Sequence, residues 1–152
     1  MVSVTRNDNG VGYSSFVTRV LAIDFGEKRI GLATADSPGG LATARRTVSR
    51  TSDEAAAGEI GRLCREEEVG LLLVGVPRSP EGEESAIAPR IRSFAEKLSR
   101  ATGLPVQLYE ETLTSDEAAR RLRGHSSRAG IDAEAAAVLL EDWLAHRGPG
   151  PA

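Results

Sequence analysis

The sequence predicts an α/β fold in which helices flank a mixed five-stranded sheet whose first three strands are antiparallel. Three strand-like segments follow one another between residues 19 and 48 with only short turns between them, which is typical of an antiparallel meander. Two later apolar segments, 69–76 and 106–111, each follow a helical pattern, as strands of an α/β sheet do. The length of 152 residues suits one such domain but not two lobes.

The meander begins with Arg19–Phe25, a short apolar run typical of a central strand that is covered on both faces. A turn at 26–28 leads into a second strand, Arg29–Ala35. The break Pro38-Gly39-Gly40 separates that strand from a third one, Leu41–Val48.

The middle of the chain predicts a helix, a strand and a second helix. Thr51 and Glu54 fit a capping box, and apolar residues at helical spacing follow them. Val69–Val76 is the most apolar segment and reads as a buried strand. Apolar residues from position 87 to 98 predict the next helix, in which Pro89 is acceptable because it falls in the first turn.

The last third predicts one strand and two helices. The strand ends near Glu111, and Thr114 with Glu117 caps a short helix. A loop at 124–130 precedes a final helix, Ile131–Leu144. The predicted order is therefore βββ-α-β-α-β-α-α.

Composition predicts three parts and a reducing environment. We expect a disordered leader at 1–18, one domain at 19–146 and a flexible tail at 147–152. The net charge of −3 argues against a general nucleic-acid coat protein, although a local basic strip remains compatible with it. With Cys64 as the single cysteine and no apolar run of membrane-spanning length, we expect a cytoplasmic protein without membrane attachment.

Three acidic residues stand at the ends of predicted elements: Asp24 after the first apolar run, Glu111 after the last strand, and Asp132 at the start of the final helix. An unpaired buried carboxylate costs several kcal/mol, so three such acids suggest a cation that receives them. Carboxylate oxygens that converge from separate elements suit Mg²⁺ or Mn²⁺.

Each acid also has a simpler interpretation. Asp132 could be an N-cap, since it follows the Gly130 break, although its spacing from Ala136 places it on the apolar stripe of the helix. Asp24 could form a turn ahead of Gly26. Glu111 could be a solvated charge at a strand terminus. The three together favour a metal site more than any one of them does.

Four blocks of sequence then point to a known family: Ile23-Asp24-Phe25-Gly26-Glu27-Lys28-Arg29-Ile30-Gly31-Leu32-Ala33, Val74-Gly75-Val76-Pro77 with Gly82, Glu110-Glu111-Thr112-Leu113-Thr114-Ser115, and Ile131-Asp132-Ala133-Glu134-Ala135-Ala136. In this order they resemble the YqgF (RuvX) family of pre-16S rRNA nucleases, which are also called Holliday junction resolvases. The resemblance covers about residues 19–145. It implies an RNase H-like fold, with Asp24, Glu111 and Asp132 as catalytic carboxylates that bind Mg²⁺ or Mn²⁺.

One position departs from the family pattern. Where the family usually reads Asp-Glu-Arg, this chain has Glu110-Glu111-Thr112, so a guanidinium that could pair with a phosphate or orient the acid is missing.

The resemblance implies a metal-dependent endonuclease that processes the 5′ end of pre-16S rRNA. The expected partners are an RNA precursor rather than branched DNA, together with ribosome assembly intermediates, and the protein is expected to be a monomer or a homodimer. Two alternatives stay open: a Holliday junction resolvase in DNA recombination and repair, and a catalytically weak nucleic-acid-binding module. A sugar-kinase or actin-like ATPase also uses an Asp-x-Gly turn, but it needs two lobes, which this length does not supply.

Candidate nucleic-acid contacts lie in two basic segments. Lys28 and Arg29 follow Asp24 in its turn. Arg123 and Arg128 belong to an acid-free stretch that leads into the final helix. The same stretch contains Arg120 and Arg121, which are equally compatible with a solvated helix face, and His125, which is compatible with an incidental loop residue.

Overall fold

The computed structural model describes residues 17–112 and 129–147. Within these ranges the chain forms, in order, β1 (Thr18–Phe25), β2 (Arg29–Ser37), β3 (Thr43–Ser49), α1 (Asp53–Glu67), β4 (Leu71–Arg78), α2 (Ala88–Thr102), β5 (Val106–Thr112) and α3 (Ala129–Arg147). The helix predicted at Thr114, most of the predicted leader and most of the predicted tail lie outside the described residues.

The five strands form one mixed sheet in the order β3-β2-β1-β4-β5. β1 pairs with β2 and β2 with β3 in antiparallel fashion, whereas β4 runs parallel to β1 and β5 runs parallel to β4. The predicted sheet with its antiparallel first three strands is confirmed. β1 is its central strand, and the side chains of residues 20–23 are fully buried.

Helices cover both faces of the sheet, and strand alternation decides which residue faces which layer. Leu21, Ile23 and Phe25 belong to the core on the α1/α2 side, whereas Val20 and Ala22 belong to the core on the α3 side. The buried apolar residues in the described part of α3 are Ala133, Ala136, Leu139, Leu140 and Trp143, which confirms the predicted apolar stripe. α3 packs on β1, β2 and β3.

Several predicted boundaries are wrong by small amounts: β4 spans 71–78 rather than 69–76, and α3 spans 129–147 rather than 131–144. Two further differences have a visible physical reason. The N-cap of α1 is Ser52 rather than Thr51, because the extended backbone of Ser52 lets its hydroxyl accept a hydrogen bond from the Ala55 amide at 3.0 Å. β3 begins at Thr43 rather than Leu41, since its pairing with β2 ends at Thr34 and Thr43 and leaves the Leu41 side chain 85% exposed.

Three other expectations can be compared with the structure. Pro89 lies in the first turn of α2, as predicted. Cys64 is buried on α1, and burial raises the pKa of its thiol to about 11, as expected for a structural cysteine. No helix in the described part of the chain combines the length and the apolar character needed to cross a bilayer.

Candidate functional site

Asp24 is the penultimate residue of β1 and is half-buried. Its neighbours Ile23 and Phe25 belong to the α1/α2 core, so alternation directs Asp24 toward the face that α3 covers. Across the antiparallel pair its partner in β2 is Gly31. Asp24 is therefore part of the central strand rather than of the turn that follows it.

Asp132 reaches the same face from α3. A Cβ atom at Gly31 would lie 1.9 Å from the Asp132 carbonyl oxygen and 2.9 Å from the Ala133 amide nitrogen, so only glycine lets the helix backbone approach β2 this closely. Asp132 is only 7% exposed, and its Oδ2 accepts a hydrogen bond from Arg29 Nε at 3.0 Å. Because α3 begins at Ala129, Asp132 lies inside the first turn, and the N-cap interpretation is wrong.

Glu111 reaches this face from the edge strand. Tyr109, two residues earlier on β5, packs in the α3-side core and donates a hydrogen bond from its hydroxyl to Asp142 Oδ2 at 2.6 Å. The half-buried Glu111 shares that face, and its Oε1 lies 3.5 Å from the position that a Cβ atom would take at Gly75. Glu111 is therefore not a solvated charge at the end of a strand, which was its simpler interpretation.

β1 and β4 cease to pair at the end of the sheet where Asp24 lies, and we call the gap between these two strand ends the hollow. The pairing of β1 with β4 ends at Ile23 and Val74, whereas β4 continues beside β5 to Arg78 and Thr112. The next residue of β4 is Gly75, at the level of Asp24, so Asp24 has a glycine beside it on both neighbouring strands. Ligands of open α/β sheets bind in such crevices at the carboxyl ends of parallel strands.

The donor set at this hollow consists of carboxylate oxygens from three elements, which is the chemistry that Mg²⁺ and Mn²⁺ prefer. The residues fit a divalent cation in the type of their donor atoms. Within residues 17–112 and the described part of α3, however, no three acidic, histidine or cysteine side chains already form a metal-binding cluster. The carboxylate of Asp132 is bonded to Arg29 instead.

The predicted nucleic-acid contacts have different outcomes. Lys28 is exposed in the turn after β1. The guanidinium of Arg29 is partly buried against Asp132, a role that its place in a basic turn did not indicate. Arg123 and Arg128, together with Arg120, Arg121 and His125, lie outside the described residues.

Two arginines that sequence reasoning missed contact Phe25, whose side chain belongs to the core on the α1/α2 side, opposite to the face of Asp24. The guanidinium carbon of Arg50 lies 5.6 Å from the centre of the Phe25 ring, and that of Arg90 lies 5.8 Å from it. Phe25 is the residue after Asp24 in the chain. Arg50 follows β3 and Arg90 lies in the first turn of α2, so no sequence motif joins them to Phe25. Contacts of this kind arise only when separate elements meet.

The departure at Thr112 also has a structural context. Thr112 lies opposite Arg78 in the β4–β5 register, and Arg78 bonds to Glu110, from Nε to Oε1 at 2.9 Å. This hydrogen bond lowers the pKa of the Glu110 carboxyl. Alternation places Arg78 on the α1/α2 side with Val76, so its guanidinium does not replace the missing one beside Glu111.

Comparison with known proteins identifies the family of the chain. The model of the RuvX family, described as Holliday junction resolvase, matches residues 18–146. The chain belongs to the RuvX family. This confirms the resemblance that the four sequence blocks indicated.

Relatives of this chain match it over most of their own length. The chain is 47% identical over 133 residues to an Anaeromyxobacter sp. (strain Fw109-5) protein named "Putative pre-16S rRNA nuclease", covering 83% of this chain and 96% of the relative. A protein of the same name from Maridesulfovibrio salexigens is 35% identical, with 84% and 98% covered. The Thermus thermophilus RuvC structure has a TM-score of 0.52 at 17% identity, covering 86% of this chain and 96% of RuvC. The fold is thus RNase H-like, as expected.

Proposed function

We propose that this RuvX-family protein is a metal-dependent endonuclease that cleaves precursor 16S rRNA, with Asp24, Glu111 and Asp132 as its metal-binding carboxylates. The chain is a nuclease, a hydrolase of phosphodiester bonds, by its family and its relatives. The metal, the RNA substrate and the roles of the three acids are the proposed part.

One observation carries the assignment of the acids: carboxylates from β1, β5 and α3 face the same side of the sheet around Gly31 and Gly75. Acids placed for solubility alone would be spread over exposed surfaces, whereas Asp132 is buried. Divalent ions bound there would activate a water molecule and stabilise the leaving oxygen of the scissile phosphate. The protein then needs no covalent nucleophile.

β1, the two glycines and the turn after β1 each have a role in the proposed mechanism. Asp24 would supply a ligand from the buried central strand, and the two glycines let α3 and Leu139 pack closely against the sheet beside it. Lys28, exposed in the adjoining turn, is placed to meet the phosphate backbone.

RNA is the substrate that the relatives favour, because they are named for pre-16S rRNA. The family description favours a second candidate, a four-way DNA junction. Both substrates present phosphodiesters to the same carboxylates, so only direct cleavage distinguishes them.

The test is cleavage by the purified protein in Mg²⁺ or Mn²⁺ of a 16S rRNA precursor with a 5′ extension, of unrelated single-stranded RNA and of a four-way junction. We expect metal-dependent cleavage of the precursor, and its loss in Asp24→Asn with unchanged circular dichroism. Removing a carboxylate ligand from a metal site eliminates charge that the divalent ion requires.

Asp36→Asn is the matched control. Asp36 lies at the opposite end of β2, where it pairs with Arg19 at 2.9 Å, and we expect its loss to leave cleavage unchanged. Full activity of a folded Asp24→Asn variant would exclude the assigned site. Cleavage of the junction alone would replace RNA by branched DNA as substrate.

A further inference from the structure

Asp132 is the only buried acid in the described part of the chain, and it forms an ion pair with Arg29. Its side chain is 10% exposed, and Oδ2 lies 3.0 Å from Arg29 Nε. A buried carboxylate without a cation costs several kcal/mol. The pair therefore compensates the buried charge while no metal ion is bound.

The backbone holds Arg29 where this pairing is possible. Arg29 begins β2, and Gly31, two residues later on the same face, contacts the backbone of Asp132. The same short segment thus positions both the backbone and the carboxylate of Asp132. Only the arginine end can move away without disturbing the sheet, since its side chain is 33% exposed.

We propose that Arg29 is a positioning residue that occupies the Asp132 carboxylate in the metal-free protein and releases it when a divalent cation binds. This proposal rests on the function proposed above, in which Asp132 is a metal ligand. The guanidinium and the cation compete at Oδ2 of Asp132, because the lone pair that accepts the Arg29 hydrogen bond is not available for coordination and because two cations at the same carboxylate repel each other. Once released, the guanidinium lies beside the hollow and has the planar donor geometry that suits a phosphate.

Competition has a measurable thermodynamic consequence. A divalent ion that must displace Arg29 binds more weakly than it would in a protein without that side chain. Removing the Arg29 charge should therefore increase metal affinity while lowering the stability of the metal-free protein. A purely structural arginine would change stability alone.

The experiment compares Arg29→Met with Lys28→Met. Both substitutions remove one positive charge at adjacent positions, but Lys28 is exposed and only Arg29 is bonded to Asp132. The readouts are Mn²⁺ affinity, from free Mn²⁺ by electron paramagnetic resonance, and the melting temperature without metal. For Arg29→Met we expect about tenfold tighter Mn²⁺ binding, equivalent to about 1.4 kcal/mol, and a lower melting temperature. Lys28→Met should change Mn²⁺ affinity by less than about threefold and leave melting unchanged.

Each outcome decides one proposal. If the parent protein binds Mn²⁺ and Arg29→Met binds it no more tightly than Lys28→Met does, the competition proposal is wrong and the metal site stands. If neither the parent nor Arg29→Met binds Mn²⁺, the metal-dependent function fails and the competition fails with it.

A second variant keeps the test decisive if Arg29→Met does not fold. Arg29→Lys keeps the compensating charge but loses the guanidinium fork, so it should fold and bind Mn²⁺ more tightly than the parent by about threefold. Unchanged or weaker binding by Arg29→Lys would overturn the proposal.

Discussion

At the scale of single residues, two glycines allow the close packing that surrounds the three acids. Gly31 lets the backbone of α3 approach β2, and Gly75 lets the side chains of Leu139 and Glu111 approach β4. Their positions in the sequence motifs gave no indication of which residues each glycine would contact, because those contacts join distant parts of the chain. The spatial demand at Gly31 is the stricter one, since its neighbours are backbone atoms that cannot change rotamer.

We therefore expect Gly31→Ala to destabilise the protein by about 3 kcal/mol or more, because the new methyl group would overlap the backbone of Asp132. Urea denaturation measures the change in the free energy of unfolding. The same substitution at Gly58, an α1 position with nothing within 4 Å of a new Cβ, should instead stabilise by roughly 0.5–1 kcal/mol. Equal effects at both positions would mean that α3 does not pack on β2 as described.

At the scale of elements, the separation of β1 from β4 creates the crevice, and α1 holds the opposite face of the sheet. Cys64 lies on the buried side of α1 in the core that contains Leu63 and Ile60. A thiol in this environment ionises only with difficulty, so the helix layer should respond to alkaline pH.

Burial raises the pKa of the Cys64 thiol from 9.0 to about 11. The neutral thiol therefore favours the folded state, and this contribution is complete below pH 9 and is lost as pH rises toward 11. We expect the free energy of unfolding of the parent to fall over this window, and that of Cys64→Ala to fall less. Urea titrations at pH 8, 9 and 10 measure the two slopes.

Tyr109 supplies a control for this slope. Burial and the bond to Asp142 raise the pKa of its hydroxyl to about 12, so its own contribution is lost only above its ordinary value of 10.0. Tyr109→Phe should leave the slope between pH 9 and 10 nearly unchanged. If Cys64→Ala had the same slope as the parent, the thiol would not be buried as described.

At the scale of the whole molecule, the proposed metal site joins β1, β5 and α3, so a bound ion links elements that are far apart in sequence. An ion that binds only the folded state stabilises it by about 2.7 kcal/mol at one hundred times its Kd. We expect Mn²⁺ to raise the free energy of unfolding of the parent by this amount. Asp24→Asn should show a much smaller increase, and an equal increase would place the ion elsewhere.

The basic stretch before α3 leads to a separate expectation for substrate binding. Arg123→Ala with Arg128→Ala should weaken RNA binding and reduce the slope of log K against log salt by roughly 1.4, because two phosphate contacts are lost. Arg62→Ala with Arg65→Ala removes the same charge from the exposed surface of α1 and should leave the slope unchanged. Filter binding at several salt concentrations measures both. An unchanged slope in the first variant would direct attention to Lys28.

The sequence by itself determined the order of strands and helices in the described part of the chain, the antiparallel start of the sheet and the three candidate acids. These follow from local patterns, because apolar periodicity and turn residues act over a few neighbouring positions. The family motifs, which also lie in short segments, added the fold and the reaction class.

Only the tertiary structure decided that Asp24, Glu111 and Asp132 face one side of the sheet, and that Arg29 pairs with Asp132 across 103 positions of sequence. Strand register and helix docking are set by contacts between distant segments, and a shift of one residue would turn a side chain to the opposite face. Local patterns carry no information about such distances. The approach of α3 to Gly31, and with it the Arg29–Asp132 pair, is therefore a property of the packed molecule.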